Sequence, residues 1–130
     1  MGSTMMKTMD HEEMRNYMIK MEHKYGNFTA DIAIGDHQEV AIETKFSFTY
    51  WALTASDFVR AKKQLEGYRV NGAQYAYLIC LDHQILPDRR PISDIIDIEA
   101  IGLVGDWREI NGPEIAGDKF LVAQLPKSQL

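Results

Sequence analysis

The chain has one cysteine, four prolines, and nothing like the roughly 20 consecutive apolar residues that span a bilayer. A lone cysteine excludes a disulfide framework. Cys80 lies in the apolar run Ala76 to Leu81 and reads as a small buried hydrophobe. The first residues lack the charged-then-apolar order of a signal peptide. Together these absences lead us to expect no membrane contact and a soluble, intracellular, cytoplasmic chain. Positive charge is also in deficit, with 14 Lys and Arg against 19 Asp and Glu and a net charge of −5. That balance argues against a protein that coats nucleic acid electrostatically, because such binding depends on cations that displace counterions from phosphates. It leaves room for carboxylates gathered around a metal ion. His11, His23, His37 and His83 are scattered without the spacing of a zinc site. There is no phosphate-cradling glycine motif, no serine nucleophile elbow, no repeat and no linker.

What remains suits one globular domain. The length of 130 residues fits a single core, and 45 % apolar with 25 % charged residues is near the globular average. Residues 1–9, with four methionines around Gly2-Ser3-Thr4, read as a disordered tail or cloning remnant, leaving 10–130 as the domain. From Asp10 to Tyr25, apolar residues at Met14, Tyr17, Met18, Met21 and Tyr25 have three-and-four spacing. This predicts an amphipathic first helix ended by Gly26. Phe28 to Ile34 and Glu39 to Phe46 alternate around Gly35-Asp36-His37-Gln38, which predicts a hairpin with Ile32, Ile34, Val40, Ile42 and Phe46 inward and Glu39, Glu43 and Lys45 on the opposite, solvent-open face.

An aromatic stretch around Phe48, Tyr50 and Trp51 follows. Thr54-Ala55-Ser56-Asp57 then resembles a capping box for a second helix with the apolar stripe Phe58, Ala61, Leu65 and Tyr68 and a stop at Asn71-Gly72. Tyr75 to Leu81, apolar on both faces, predicts a central strand. Ile92 to Ile98 fits neither period. Glu99 to Trp107 and Phe120 to Leu125 read as strands on either side of a glycine-rich loop with Pro113.

The tripeptide acid-x-Lys occurs at Glu22-His23-Lys24 and at Glu43-Thr44-Lys45, and chance alone accounts for a match in a chain of this composition. Geometry separates the two. On a helix, residues two apart point away from each other, whereas on a strand they share a face. An in-phase hairpin with a three-residue loop at Asp36 to Gln38 sets Asp31 opposite Glu43. Facing carboxylates are unfavourable on a sheet by some tenths of a kcal/mol, and a bound divalent cation resolves the conflict. Oxygen donors suit Mg²⁺ or Mn²⁺, which would polarise a phosphate and lower the pKa of a bound water beside Lys45. The plainer alternative is that these charges form the solvated face of an amphipathic strand.

In order, the chain carries Asp31, then Glu43-Thr44-Lys45, then Gln64-Leu65-Glu66-Gly67-Tyr68, then the apolar run Tyr75 to Leu81. This order, across residues 10–82, resembles the PD-(D/E)xK phosphodiesterases, which include restriction endonucleases, Holliday junction resolvases and phage exonucleases. The resemblance implies an α/β fold with a restriction endonuclease-like core: a mixed central sheet of four to five strands flanked by helices, in the order α-β-β-α-β and then further strands. It implies that Asp31, Glu43 and the backbone carbonyl of Thr44 hold Mg²⁺ or Mn²⁺, that Lys45 is the catalytic lysine, and that Gln64 contacts the lysine, the water or a phosphate. Ala30 stands where the family usually has proline before the aspartate. Many relatives add a first-helix glutamate, for which Glu12, Glu13 and Glu22 are candidates and Glu13 is preferred.

The second helix carries Arg60, Lys62, Lys63 and Arg69 against only Asp57 and Glu66, so Arg60 and Lys63 are candidate nucleic-acid contacts. Tyr68 is a further candidate, although Tyr68 and Tyr75 read chiefly as core. Arg89 and Arg90 read as an exposed loop. The function expected is metal-dependent hydrolysis of nucleic acid, with DNA as substrate and a homodimer as the working form. The alternatives are a catalytically inactive binding or assembly module of the same fold, and an RNA-directed nuclease.

Overall fold

In a computed structural model of the chain, the described residues are 19–47, 53–83, 91–110 and 118–127. Six strands form one mixed sheet: β1 (Ile19–Tyr25), β2 (Phe28–Ile34), β3 (Val40–Ser47), β4 (Tyr75–Asp82), β5 (Val104–Glu109) and β6 (Lys119–Gln124). Their order across the sheet is β1-β2-β3-β4-β6-β5, with β3 and β4 parallel and every other pair antiparallel. The parallel pair is joined by α1 (Ala55–Val70), and two single-turn helices, α2 (Ile92–Ile95) and α3 (Ile98–Ile101), precede β5. The fold is therefore a mixed α/β sheet, with six strands rather than the four or five expected. No helix among the described residues is long and apolar enough to cross a membrane.

The first helix was misplaced over its second half. Residues 19–25 form β1, paired with β2 from Ile19↔Ile34 to Tyr25↔Phe28. In their sequence, Ile-Lys-Met-Glu-His-Lys-Tyr, the apolar residues Ile19, Met21 and Tyr25 all fall on the odd positions of a strand, with His23 the polar exception, and Met21 and Tyr25 satisfy a helical period as well. Gly26 ends the strand rather than a helix: at φ +62° it takes the first central position of a two-residue Gly-Asn hairpin turn. The remainder of that expectation, 10–18 with Glu12 and Glu13, lies outside the described residues, as do Phe48, Tyr50, Trp51, Arg89, Arg90 and Pro113.

α1 forms where expected. The Asp57 carboxylate accepts from the Thr54 amide at 2.8 Å, closing the first turn, and Gly72 at φ +112° follows the last one. Phe58, Ala61, Leu65 and Tyr68 face the sheet and are fully buried. Burying Phe58 and Leu65 stabilises the fold by roughly 1.5–3 kcal/mol each. The stretch left open at Ile92–Ile98 resolves into α2 and α3. Asp97 caps α3 by accepting from the Glu99 and Ala100 amides, and Gly102 at φ +97° ends it, so the next strand begins only at Val104.

The hairpin's register is the expected one, with Ile34↔Val40, Ala33↔Ala41 and Ile32↔Ile42, but its faces are inverted. The face covered by α1 carries Ala33, Ala41, Glu43 and Ser47, all buried, continued by Ala76, Leu78, Cys80 and Asp82 on β4. Val40 and Ile42 are only partly covered, and Phe46 is 50 % exposed. Small alanines let the helix approach closely, so the bulkier side chains fall on the other face. The acid-x-Lys pair thus lies beneath α1 rather than on a solvent face.

Candidate functional site

β2 changes phase where the site begins. Phe28 packs toward α1, where a Cβ on Gly67 would stand 2.5 Å from its ring, and Ala30 is buried on the same side. The next buried residue is Ala33, three positions on rather than two, so the alternation slips across Asp31 and Ile32. The rung opposite Asp31 in β1 is Glu22, an exposed residue at the left-handed φ of +52°, and the ladder is paired on both sides of it but not at it. Glu22, considered for a helical metal ligand, is thus at a distorted position of an edge strand.

On the other side, the β2–β3 ladder stops at Ile32↔Ile42. One rung further, where the register sets Asp31 against Glu43, the Asp31 carboxylate enters the gap between the strands. Its Oδ2 accepts from the Thr44 amide at 2.8 Å and from the Thr44 hydroxyl at 2.9 Å, standing in for a ladder carbonyl. Its other oxygen, Oδ1, has no hydrogen bond among the described residues. In an extended strand the N–H and C=O of one residue leave on the same side, so the Thr44 carbonyl also points toward β2.

Glu43 and Lys45 form an ion pair. Lys45 Nζ lies 3.5 Å from Glu43 Oε2; the Glu43 side chain is 5 % exposed and that of Lys45 24 %. The Tyr68 hydroxyl, delivered by α1, is 2.6 Å from Glu43 Oε1 and 2.9 Å from the Thr29 carbonyl oxygen. Burial holds the Glu43 carboxyl above the usual carboxylate range against the Tyr68 hydrogen bond; the charge of Asp31 pushes the same way as burial, and Lys45 pulls against it. Burial, with the hydrogen bond and charge of Glu43, pushes the Tyr68 hydroxyl far up, so it remains a protonated donor. Tyr68 is fully buried, with its ring against Tyr25 at 5.5 Å and Phe28 at 6.5 Å, so it is not available to stack on bases; it positions Glu43 instead. The sequence offered one signal for this role, the four-residue spacing from Gln64.

That spacing places Gln64. Because β3 and β4 are parallel, the connecting α1 runs back antiparallel to β3. Four residues back along the helix is about 6 Å, and two residues forward along a strand is about 6.6 Å. With Tyr68 on Glu43, Gln64 comes level with Lys45, and its buried Oε1 has no hydrogen-bond partner among the described residues. An acceptor left unpaired in this way costs about 1–3 kcal/mol and suits an ammonium, a water or a protonated ligand atom. Arg60 continues the same stripe, one turn further, and is exposed. Lys63, about 100° from Gln64 around the helix, leaves that stripe and points away from the site. Glu13 lies outside the described residues.

The donor set consists of hard oxygens, namely Asp31 Oδ1, Glu43 and the Thr44 carbonyl. These fit Mg²⁺ or Mn²⁺, which take one or two protein carboxylates and keep several waters. Among the described residues no group of three or more His, Cys, Asp or Glu side chains is gathered for a metal, so a cation here would rest on two carboxylates, one carbonyl and water. A carboxyl kept high by burial beside another carboxylate is a group whose charge a cation would favour. Comparison with protein-family models, curated proteins and solved structures gave no significant match to this chain.

Proposed function

We propose that this chain is a Mg²⁺- or Mn²⁺-dependent phosphodiesterase acting on nucleic acid, DNA first among candidate substrates, built on a restriction endonuclease-like core. The observation that carries the reading is the buried Glu43 held between Tyr68 and Lys45, across the same rung from an Asp31 locked on Thr44. Asp31, Glu43 and the Thr44 carbonyl would hold the cation. The chemistry contributed by a bound cation is polarisation of the phosphate and a lowered pKa for a coordinated water.

The chain's own residues supply the rest. Thr44 fixes the Asp31 carboxylate through two donors, and Tyr68 fixes Glu43 through one, so neither carboxylate has to be ordered when substrate arrives. The partly exposed Lys45 ammonium offsets charge building on the phosphate and orients the attacking water. Gln64 offers its free acceptor to that water or to Lys45. Arg60, exposed on the same stripe, gives the phosphate backbone a cation outside the site.

A second reading has its own support. Both Glu43 oxygens already have protein partners and the chain is acidic overall, as in a module that keeps the fold without catalysis. A panel of duplex, single-stranded and branched DNA and of RNA, with Mg²⁺ or Mn²⁺, tests the proposal. Cleavage of at least one substrate that falls by two or more orders of magnitude in Lys45→Ala and Asp31→Asn supports it, and RNA-only turnover moves the substrate from DNA to RNA. Equal rates in wild type and variants, or no cleavage of any substrate, refutes it.

A further inference from the structure

The sheet has a second face. Following the registers across the strands, one rung presents Ile34, Val40 and Tyr75, and the next Ile32, Ile42 and Tyr77. Beyond them Ile79 sits beside Val122, and Val104 beside Gln124 at the β5 edge. α1 takes the opposite face, and no described helix covers this one. Tyr75, Val104 and Val122 are 53 %, 47 % and 45 % exposed. Over β5 and β6 the surface sinks into a cavity of about 410 Å³ floored by Val104, Phe120 and Val122. Among the described residues, the only charged side chains lining that cavity are Asp106 and Arg108, both exposed. They lie on the edge strand β5, two residues apart and therefore on the same side.

We propose that this face is the interface between two copies of the chain. Size supports it. Six strands spaced by about 4.8 Å and six to eight residues long span about 24 by 20–26 Å. That footprint, with side-chain relief added, is on the scale of the roughly 800 Å² per partner of a stable interface. A single helix, about 10 Å wide, would leave more than half of it open. Charge supports self-pairing. A two-fold axis lying in the interface across the strands sets β5 against β5 of the second copy, running antiparallel. With the axis level with Trp107, Asp106 faces Arg108 of the second copy and Arg108 faces Asp106, the reciprocity an isologous contact requires. The paucity of lysine and arginine on this face argues against single-stranded nucleic acid, which needs cations along its backbone as well as aromatic rings.

This inference is independent of the nuclease reading, since Glu43 and Lys45 lie on the α1 face. The test is sedimentation equilibrium of the full chain from about 1 to 200 µM, with Val122→Glu, Asp106→Arg, Arg108→Asp and the double exchange Asp106→Arg/Arg108→Asp. We expect a wild-type dimer, dissociation raised at least tenfold by Val122→Glu and by each single charge change, and recovery in the double exchange, where opposite charges again face each other. Recovery separates an interface from a folding defect. A wild type that stays monomeric overturns the proposal, as does a dimer indifferent to Val122→Glu. In that event, titration of a labelled single-stranded oligonucleotide into wild type and Val122→Glu decides whether the face belongs to nucleic acid instead.

Discussion

Tyr68→Phe removes one hydroxyl and leaves the ring, so it deletes the 2.6 Å bond to Glu43 together with the 2.9 Å contact to the Thr29 carbonyl, of which only the first depends on the charge of Glu43. A hydrogen bond to a charged group contributes about 1.5–3 kcal/mol, and Glu43 is too buried for water to replace the lost donor fully. The effect should depend on pH, with a definite sign. The folded pKa of Glu43 is raised above its ordinary 4.5, so its ionised form costs stability; that cost is absent below the unfolded pKa and grows as pH rises through the folded one. The Tyr68 bond pulls the folded pKa down, and its removal moves the value further up. The variant should therefore lose about 2–3 kcal/mol at pH 7.5, roughly 8–12 °C in Tm for a chain of this length, and about 1 kcal/mol at pH 4. Thermal denaturation followed by circular dichroism in EDTA at the two pH values measures this. An equal loss at both pH values, or none at pH 7.5, would show that the hydroxyl does not support a charged Glu43.

Three further outcomes follow from the packing and the site. Lys45→Ala should keep the fold by circular dichroism while lowering phosphodiester cleavage about 10²- to 10³-fold, the usual range for losing one preorganised group that offsets charge in the transition state. Gly67→Ala should destabilise by about 1–3 kcal/mol in denaturant titration, because its methyl would meet the Phe28 ring at 2.5 Å; a gain in stability from helix propensity would show that Phe28 moves freely. Cys80 is buried and its thiol is pushed up to about 12 by burial and by the charge of Asp82, so it should resist thiol reagents at pH 8 and react with one equivalent once guanidinium unfolds the chain.

Much of the site was legible because strand pairing is set by short loops. The apolar pattern and the loop at Asp36 to Gln38 fixed Ile34↔Val40, and the Asp31–Glu43 rung followed by counting. The faces were not legible in the same way. Bulk alone ranked Val40, Ile42 and Phe46 as inward, whereas helix packing selected the alanine face, and the apolar face of a six-stranded sheet was left for something else. β1 was hidden because Met21 and Tyr25 satisfy both periods, and only the partner strand decides between them. The phase slip at Asp31 and the left-handed Glu22 opposite it have no sequence signal, since neither residue is one that ordinarily marks an irregularity. Tyr68 was visible as a core residue, but its bond to Glu43 depends on the antiparallel run of α1 over β3.

The most direct measurement is a calorimetric titration of Mn²⁺ into the full chain at neutral pH. One site per chain is expected, abolished in Asp31→Asn and Glu43→Gln and retained in Lys45→Ala. No heat in the wild type, or unchanged binding in the two carboxylate variants, would contradict the assignment of a shared cation to Asp31 and Glu43.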